Sequence, residues 1–240
     1  MLSRENLEKF TKFQQTSTQN VVREYCQHLF LSYLYQNPGS EKLLFKGGTA
    51  LRIILKSPRF SEDLDFRGIG VTHKEIEELF TNTLANIEKT GMPVHVTEAA
   101  ETTGGYLGIA VFEAYDMKIN VQIEVSLRRG KAFKKTRALI TSGYIPAYTL
   151  VHLDLDDIIL GKLDALLDRH KPRDFYDYFF LLSGDYPAAR TKENLKKVLK
   201  LLQKENTNFQ TELKKFLPAS HTMHLRDFKK VLEKKILAYL

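Results

Sequence analysis

The chain has little that would staple, span or tether it. It contains one cysteine in 240 residues, Cys26, so no intramolecular disulfide framework can form, and a reducing compartment is the expected setting. Its first residues lack the basic-then-apolar pattern of a secretory leader. No apolar run approaches the ~18 residues that a membrane helix needs. Cysteine and histidine do not fall at zinc-ligand spacing, and neither a low-complexity linker nor a solenoid-length repeat is visible. These absences lead to the expectation of a cytoplasmic globular protein with no membrane segment, and the lack of a heptad seam makes a monomer the default. With 43% hydrophobic residues, the chain can bury the core of one large domain or two small ones.

Acid and base balance over most of the length but not at the end. The net charge is +7, yet residues 1–184 hold 23 basic and 23 acidic side chains, while residues 185–240 hold 13 and 6. A second basic run lies mid-chain, with Arg128, Arg129, Lys131, Lys134 and Lys135. Concentrated positive charge suits polyanions such as nucleic acid, or an acidic protein.

The most informative stretch runs from Lys42 to Gly68. Leu43–Phe45 reads as a buried strand that ends on Gly47-Gly48, where the backbone can approach a ligand closely. A helix is expected from Thr49 to about Lys56, with Thr49 as its cap and Leu51, Ile54 and Leu55 on one face. Its N-terminal N–H groups and dipole favour an anion such as phosphate. After Pro58 the chain returns through Arg59 and Ser61 to Asp63-Leu64-Asp65-Phe66, where the period of two puts both aspartates on one strand face. Two carboxylates so close repel each other unless a cation intervenes, and a hard divalent ion does this well. Alone, such a pair is commonly a solvated strand edge. Here it follows a glycine turn and a phosphate-ready helix within one βαβ-sized unit.

Elsewhere the spacing predicts a helix over 3–36, an amphipathic helix over 72–90, strands at 94–97 and 107–115 around a Thr-Thr-Gly-Gly turn, and a strongly alternating strand over 118–128 that exposes Glu124 as a candidate third acid. A helix is expected from Leu153, with Lys162 and Arg169 on one face, and a second after Pro172. In that second helix Asp174 reads as a structural partner for Arg169 or Arg173, and Asp177 as something more. About three short lysine-rich helices complete the chain.

Together Lys46-Gly-Gly-Thr-Ala-Leu, Arg59-x-Ser61-x-Asp63-Leu-Asp65-Phe66, Lys162-Leu-x-Ala-Leu-x-x-Arg169 and Arg173-Asp174-x-x-Asp177 resemble the AbiEii/AbiGii family, whose members are nucleotidyltransferase-like toxins of type IV toxin–antitoxin and abortive-infection systems. The resemblance implies an α+β fold of the polymerase-beta nucleotidyltransferase type, a core at 1–150 and a helical region at 151–240. It implies that Gly47, Gly48 and Thr49 hold a triphosphate with help from Arg59, Ser61 and Lys162. It also implies that Asp63 and Asp65 ligate Mg²⁺ or Mn²⁺, with Glu124 as a further ligand or base, and that Lys162 and Asp177 match later catalytic motifs. An NTP substrate and a cognate antitoxin follow from the family. The expected reaction moves a nucleotide to an acceptor hydroxyl, with RNA, specifically the tRNA 3′ end, as the acceptor that the basic tail suggests. Nucleotidylation of a protein or small molecule, and NTP binding without turnover, are the alternatives.

Overall fold

A computed structural model describes residues 1–127, 133–222 and 225–240. The chain divides into two compact units, one of residues 1–56 and 60–154, the other of residues 57–59 and 155–240. The sequence placed the division at 150/151. The contacts divide the chain after Asp154, and they assign the short segment Ser57–Arg59 to the second unit.

In the first unit, β1 (Leu43–Lys46), β2 (Asp63–Gly68), β3 (Val94–Thr102), β4 (Gly105–Ala114), β5 (Met117–Ser126), β6 (Lys135–Ile140) and β7 (Tyr148–Leu153) form a mixed sheet in the order β3-β4-β5-β2-β1-β7-β6. Strand β2 lies between β1, to which it is antiparallel, and β5, to which it is parallel. Two of these strands escaped the sequence reading. β6 occupies one edge and alternates Lys135, Thr136 and Arg137, the kind of charged edge that blocks further pairing but reads as a basic loop. β7 is short, nearly all buried and parallel to β1, so its apolar run merges by eye with the helix that follows.

Helices α1 (Arg4–Gln14), α2 (Thr18–Leu34), α3 (Gly47–Leu55) and α4 (His73–Glu88) complete this unit. The single N-terminal helix expected over 3–36 is two. Gln15 takes a left-handed conformation with φ 49°, and the Ser17 side chain accepts from the Asn20 N–H, a local cap that competes with continuing the helix. Phe45, Leu64 and Phe66 are fully buried, with the Phe45 and Phe66 rings 5.5 Å apart.

Because α2 is buried on almost every side, its polar residues must find partners inside the protein. Glu24 accepts from Arg52 Nε on α3 and from the Tyr144 hydroxyl, both at 2.7 Å. His28 Nδ1 lies 2.9 Å from the Tyr148 hydroxyl.

The second unit is helical: α5 (Leu155–Arg169), α6 (Pro172–Ser183), α7 (Lys192–Lys204), α8 (Phe209–Leu213), α9 (Ala219–Thr222) and α10 (Phe228–Leu237). Tyr176, Phe179, Phe209 and Phe228 pack ring against ring, with Phe209 and Phe228 centroids 5.1 Å apart. Among the described residues, no helix is long and apolar enough to cross a membrane.

His28 is buried beside Glu24 and Tyr148. Burial lowers its pKa to about 4, against the partly opposing charge of Glu24. The unfolded chain, with an ordinary imidazole, therefore takes up a proton at higher pH than the folded one. Stability falls as pH drops from about 6.5 towards about 4, by roughly 2 kcal/mol at pH 5 from this group. His28→Gln keeps a partner for Tyr148 but does not titrate, so the unfolding free energies of this variant from urea titrations at pH 7 and pH 5 should differ less than those of the parent by that amount.

Candidate active site

The strand alternation of β2 puts Leu64 and Phe66 into the core and leaves Asp63 and Asp65 half-buried on the opposite face. Asp65 stands in register with Lys46 at the end of β1 and with Glu124 on β5. Neighbours in register share a sheet face, so Asp65 and Glu124 project to the same side. The Glu124 carboxylate accepts from the Gln122 amide at 2.5 Å and is exposed.

Immediately after Lys46 the chain turns into α3. Gly47 has φ +85°, a conformation that L side chains rarely adopt, and a β-carbon there would overlap the Asp65 carboxylate. Glycine is thus required twice, for the turn and for the acid packed against it. The start of α3 is not capped by Thr49. The cap position is Lys46, without a side-chain cap, and the fully buried Thr49 hydroxyl donates instead to the Asp63 carbonyl. Thr49 ties the helix to the acidic strand. Lys46 gives α3 no side-chain cap, so its first N–H groups, with the positive end of the helix dipole, are suited to an anion beside Asp65.

The donor set suits a hard divalent ion. Among the described residues no group of three or more His, Cys, Asp or Glu forms a metal cage. Magnesium is usually held by one or two carboxylates together with substrate phosphates, and Asp63 and Asp65 beside a phosphate-favouring helix end match that mode.

The second unit carries a separate buried cluster. Arg59 Nε and Nη2 donate to the two Asp177 carboxylate oxygens at 2.7 and 2.8 Å, and Lys162 Nζ donates to Asp177 at 2.9 Å. Arg59 is 3% exposed and Asp177 is fully buried. Burial alone would raise the Asp177 carboxyl, but the charges of Arg59 and Lys162 and their hydrogen bonds outweigh it and hold the pKa at about 2. Arg59, expected among the nucleotide contacts, is bonded to Asp177 through its guanidinium. Asp174 is equally buried, bonded to Arg169 at 2.7 and 3.1 Å.

Of the five basic residues expected to meet RNA, Arg128, Arg129 and Lys131 lie outside the described residues. Lys134 and Lys135 are exposed at the start of the β6 edge. Sequence reasoning missed the α2 side chains that touch the site's elements: Glu24 on Arg52, and Gln27 on the segment that leads into β2. The signal was polar residues inside an otherwise apolar helical stripe, which burial obliges to be paired.

Removing a carboxylate that joins two buried cations leaves both uncompensated. Asp177→Ala should lower unfolding free energy by about 3–5 kcal/mol. Asp174→Ala should cost less, because the Arg169 side chain is 40% exposed and water can replace its partner. Urea denaturation of the two variants side by side measures the difference.

Comparison with solved structures shows the same fold at low sequence identity. The protein of the crystal structure of JHP933 from Helicobacter pylori superposes with a TM-score of 0.65 at 19% identity, covering 93% of both chains. MenT4, the nucleotidyltransferase toxin Rv2826c of Mycobacterium tuberculosis H37Rv, gives 0.66 at 18% identity over 100% of this chain and 90% of that one. A crystal structure of a protein from H. pylori, titled as a putative nucleotidyltransferase, gives 0.56 at 18% identity over 93% and 99%. No curated protein matches the chain. The model of the family described as nucleotidyl transferase AbiEii toxin, type IV TA system, matches residues 29–237, a span that takes in the glycine turn, the paired aspartates and the Lys162–Asp177 pair. The chain belongs to that family of nucleotidyltransferase toxins.

Proposed function

We propose that the protein transfers a nucleotide from an NTP, with Mg²⁺ or Mn²⁺, to a hydroxyl on RNA, the 3′ end of tRNA being the acceptor of choice. The observation that carries this reading is the Asp63/Asp65 face of β2 packed against the Gly47 start of α3. There, carboxylates able to hold a divalent ion adjoin N–H groups able to hold phosphate.

Asp63 and Asp65 would hold a divalent ion, which would supply charge neutralisation for the triphosphate and its leaving pyrophosphate. Everything else is done by the chain. The backbone at Gly47, Gly48 and Thr49 binds phosphate, and the absence of a side chain at Gly47 leaves room for the Asp65 carboxylate beside it. Ser61 adds a hydroxyl just ahead of β2. Glu124, in register with Asp65, takes the proton of the attacking hydroxyl or joins the metal ligands. Lys162 serves as a point charge for phosphate, kept in its orientation by Asp177, which Arg59 holds in turn.

The choice of RNA rests on charge. Lys192, Lys196, Lys200 and Lys204 recur every four residues along α7 and are exposed, which makes one lysine stripe on one helix face. Lys134, Lys135 and Arg137 add exposed charge at the β6 edge. As a toxin of a type IV system, the protein is expected to act with a cognate antitoxin and to work in the cytoplasm.

Incubation with each α-labelled NTP, Mg²⁺ and total RNA should put label into a tRNA-sized band with the parent protein and not with Asp65→Asn. Label on protein or on small molecules would move the acceptor, and bound NTP with no labelled product would replace the enzyme reading by a binding one. A second prediction concerns the lysine stripe. The combined Lys196→Glu, Lys200→Glu and Lys204→Glu substitutions should flatten the slope of log affinity for RNA against log salt by roughly 2, and an unchanged slope would remove the tail from the RNA surface.

A further inference from the structure

Asp63 can serve the site only if β2 begins where it does. The side-chain period of a strand is two, so pairing β2 one residue out of register turns the aspartates to the core face and Leu64 and Phe66 to the site. The ladders to β1 and β5 hold β2 once it has begun. The residues just ahead of it are held from outside the sheet.

Gln27, on α2 and 2% exposed, donates through its amide nitrogen to the carbonyls of both Ser61 and Glu62, each at 3.0 Å. Successive carbonyls of an extended strand point in opposite directions. Two that converge on one nitrogen require a bend, and Ser61 and Glu62 are accordingly irregular, with strand geometry starting at Asp63. One turn before Gln27 on the same helix face, Arg23 forms an ion pair with the Glu62 side chain at 3.3 Å. The residue ahead of Asp63 is therefore held by backbone and side chain together, and the Asp63 carbonyl is held by Thr49. Gln27 and Arg23 precede the span matched by the family model, and neither appears in the motifs that identify the chain.

We propose that Gln27, assisted by Arg23, is a positioning residue for the reaction: it fixes the bend that starts β2 and so aims the Asp63/Asp65 pair at the site. This rests on the reading of those aspartates as the metal-holding pair. The amide touches neither substrate nor metal. Its effect is on the placement of the carboxylates, where a displacement of about 1 Å can cost on the order of 100-fold in rate.

Gln27→Met keeps the volume and the apolar packing but removes both donors. Thr83→Val removes another fully buried polar group of the same unit, one that bonds Leu79 and Asn37, and serves as the stability control. Each protein is titrated with Mn²⁺ in the presence of a non-hydrolysable NTP, with free Mn²⁺ read by electron paramagnetic resonance, and is assayed for nucleotide transfer at a temperature where it is fully folded. The expected result is Mn²⁺ binding weakened about 10-fold or more in Gln27→Met, with kcat reduced, KM for NTP changed far less, and Thr83→Val like the parent. Mn²⁺ affinity and kcat in Gln27→Met that match those of Thr83→Val would overturn the positioning role and leave the metal site standing. A parent protein that binds no Mn²⁺ at all would overturn the metal-site reading and the role of Gln27 with it. Mn²⁺ binding that depends on Gln27, in a protein that transfers no nucleotide, would support the positioning role and refute the proposed reaction alone.

Discussion

The Asp65 carboxylate occupies the space that a β-carbon on residue 47 would need. Much of the first unit can be understood as the means of keeping that contact. It brings a negatively charged group to the positive end of α3, an arrangement the helix dipole favours. It also commits position 47 to glycine through both φ and space. Three connections then keep the helix and the strand together: Thr49 to the Asp63 carbonyl, Arg52 to Glu24 on α2, and Gln27 to the carbonyls that precede Asp63. The last two converge on one buried helix whose polar residues have no water to turn to.

The second unit follows another electrostatic logic. Asp177 is buried with two cations, and their charges and hydrogen bonds keep its carboxylate ionised. A buried ionic cluster of this kind is weak evidence for stability, since apolar groups of the same volume often do as well. On the proposed reading, its value is that it holds Lys162 in one orientation. Asp174, three residues away on the same helix, is as buried but pairs with a half-exposed arginine of α5, and it fits the structural role its position suggested.

Local periodicity made the centre of the site legible. The alternation of β2 predicted which side Asp63 and Asp65 would take, and the alternation of β5 predicted that Glu124 would be exposed. Neither pattern contains the register that aligns Glu124 with Asp65, because register is settled by the whole sheet. Thr49 looked like a cap because a hydroxyl near a helix start usually is one. Here the helix begins two residues earlier, at the glycines, and the hydroxyl bonds the neighbouring strand. The Arg59–Asp177 pair joins residues separated by 118 positions, beyond any spacing argument. Strands β6 and β7 were hidden for opposite reasons, one too charged and one too uniformly buried to show a period of two. Gln27 was visible as a misfit in an apolar stripe, but only tertiary contacts show what it holds.

The central claim is that the two β2 carboxylates and the start of α3 form one site for a metal-bound triphosphate. A crystal structure of the protein soaked with Mn²⁺ and a non-hydrolysable NTP, with anomalous scattering used to place the metal, tests it most directly. The account predicts an anomalous peak about 2.1 Å from carboxylate oxygens of Asp63 and Asp65, with phosphate oxygens on the N–H groups at Gly47–Thr49. A triphosphate bound elsewhere, or a metal that leaves both aspartates uncoordinated, would contradict it.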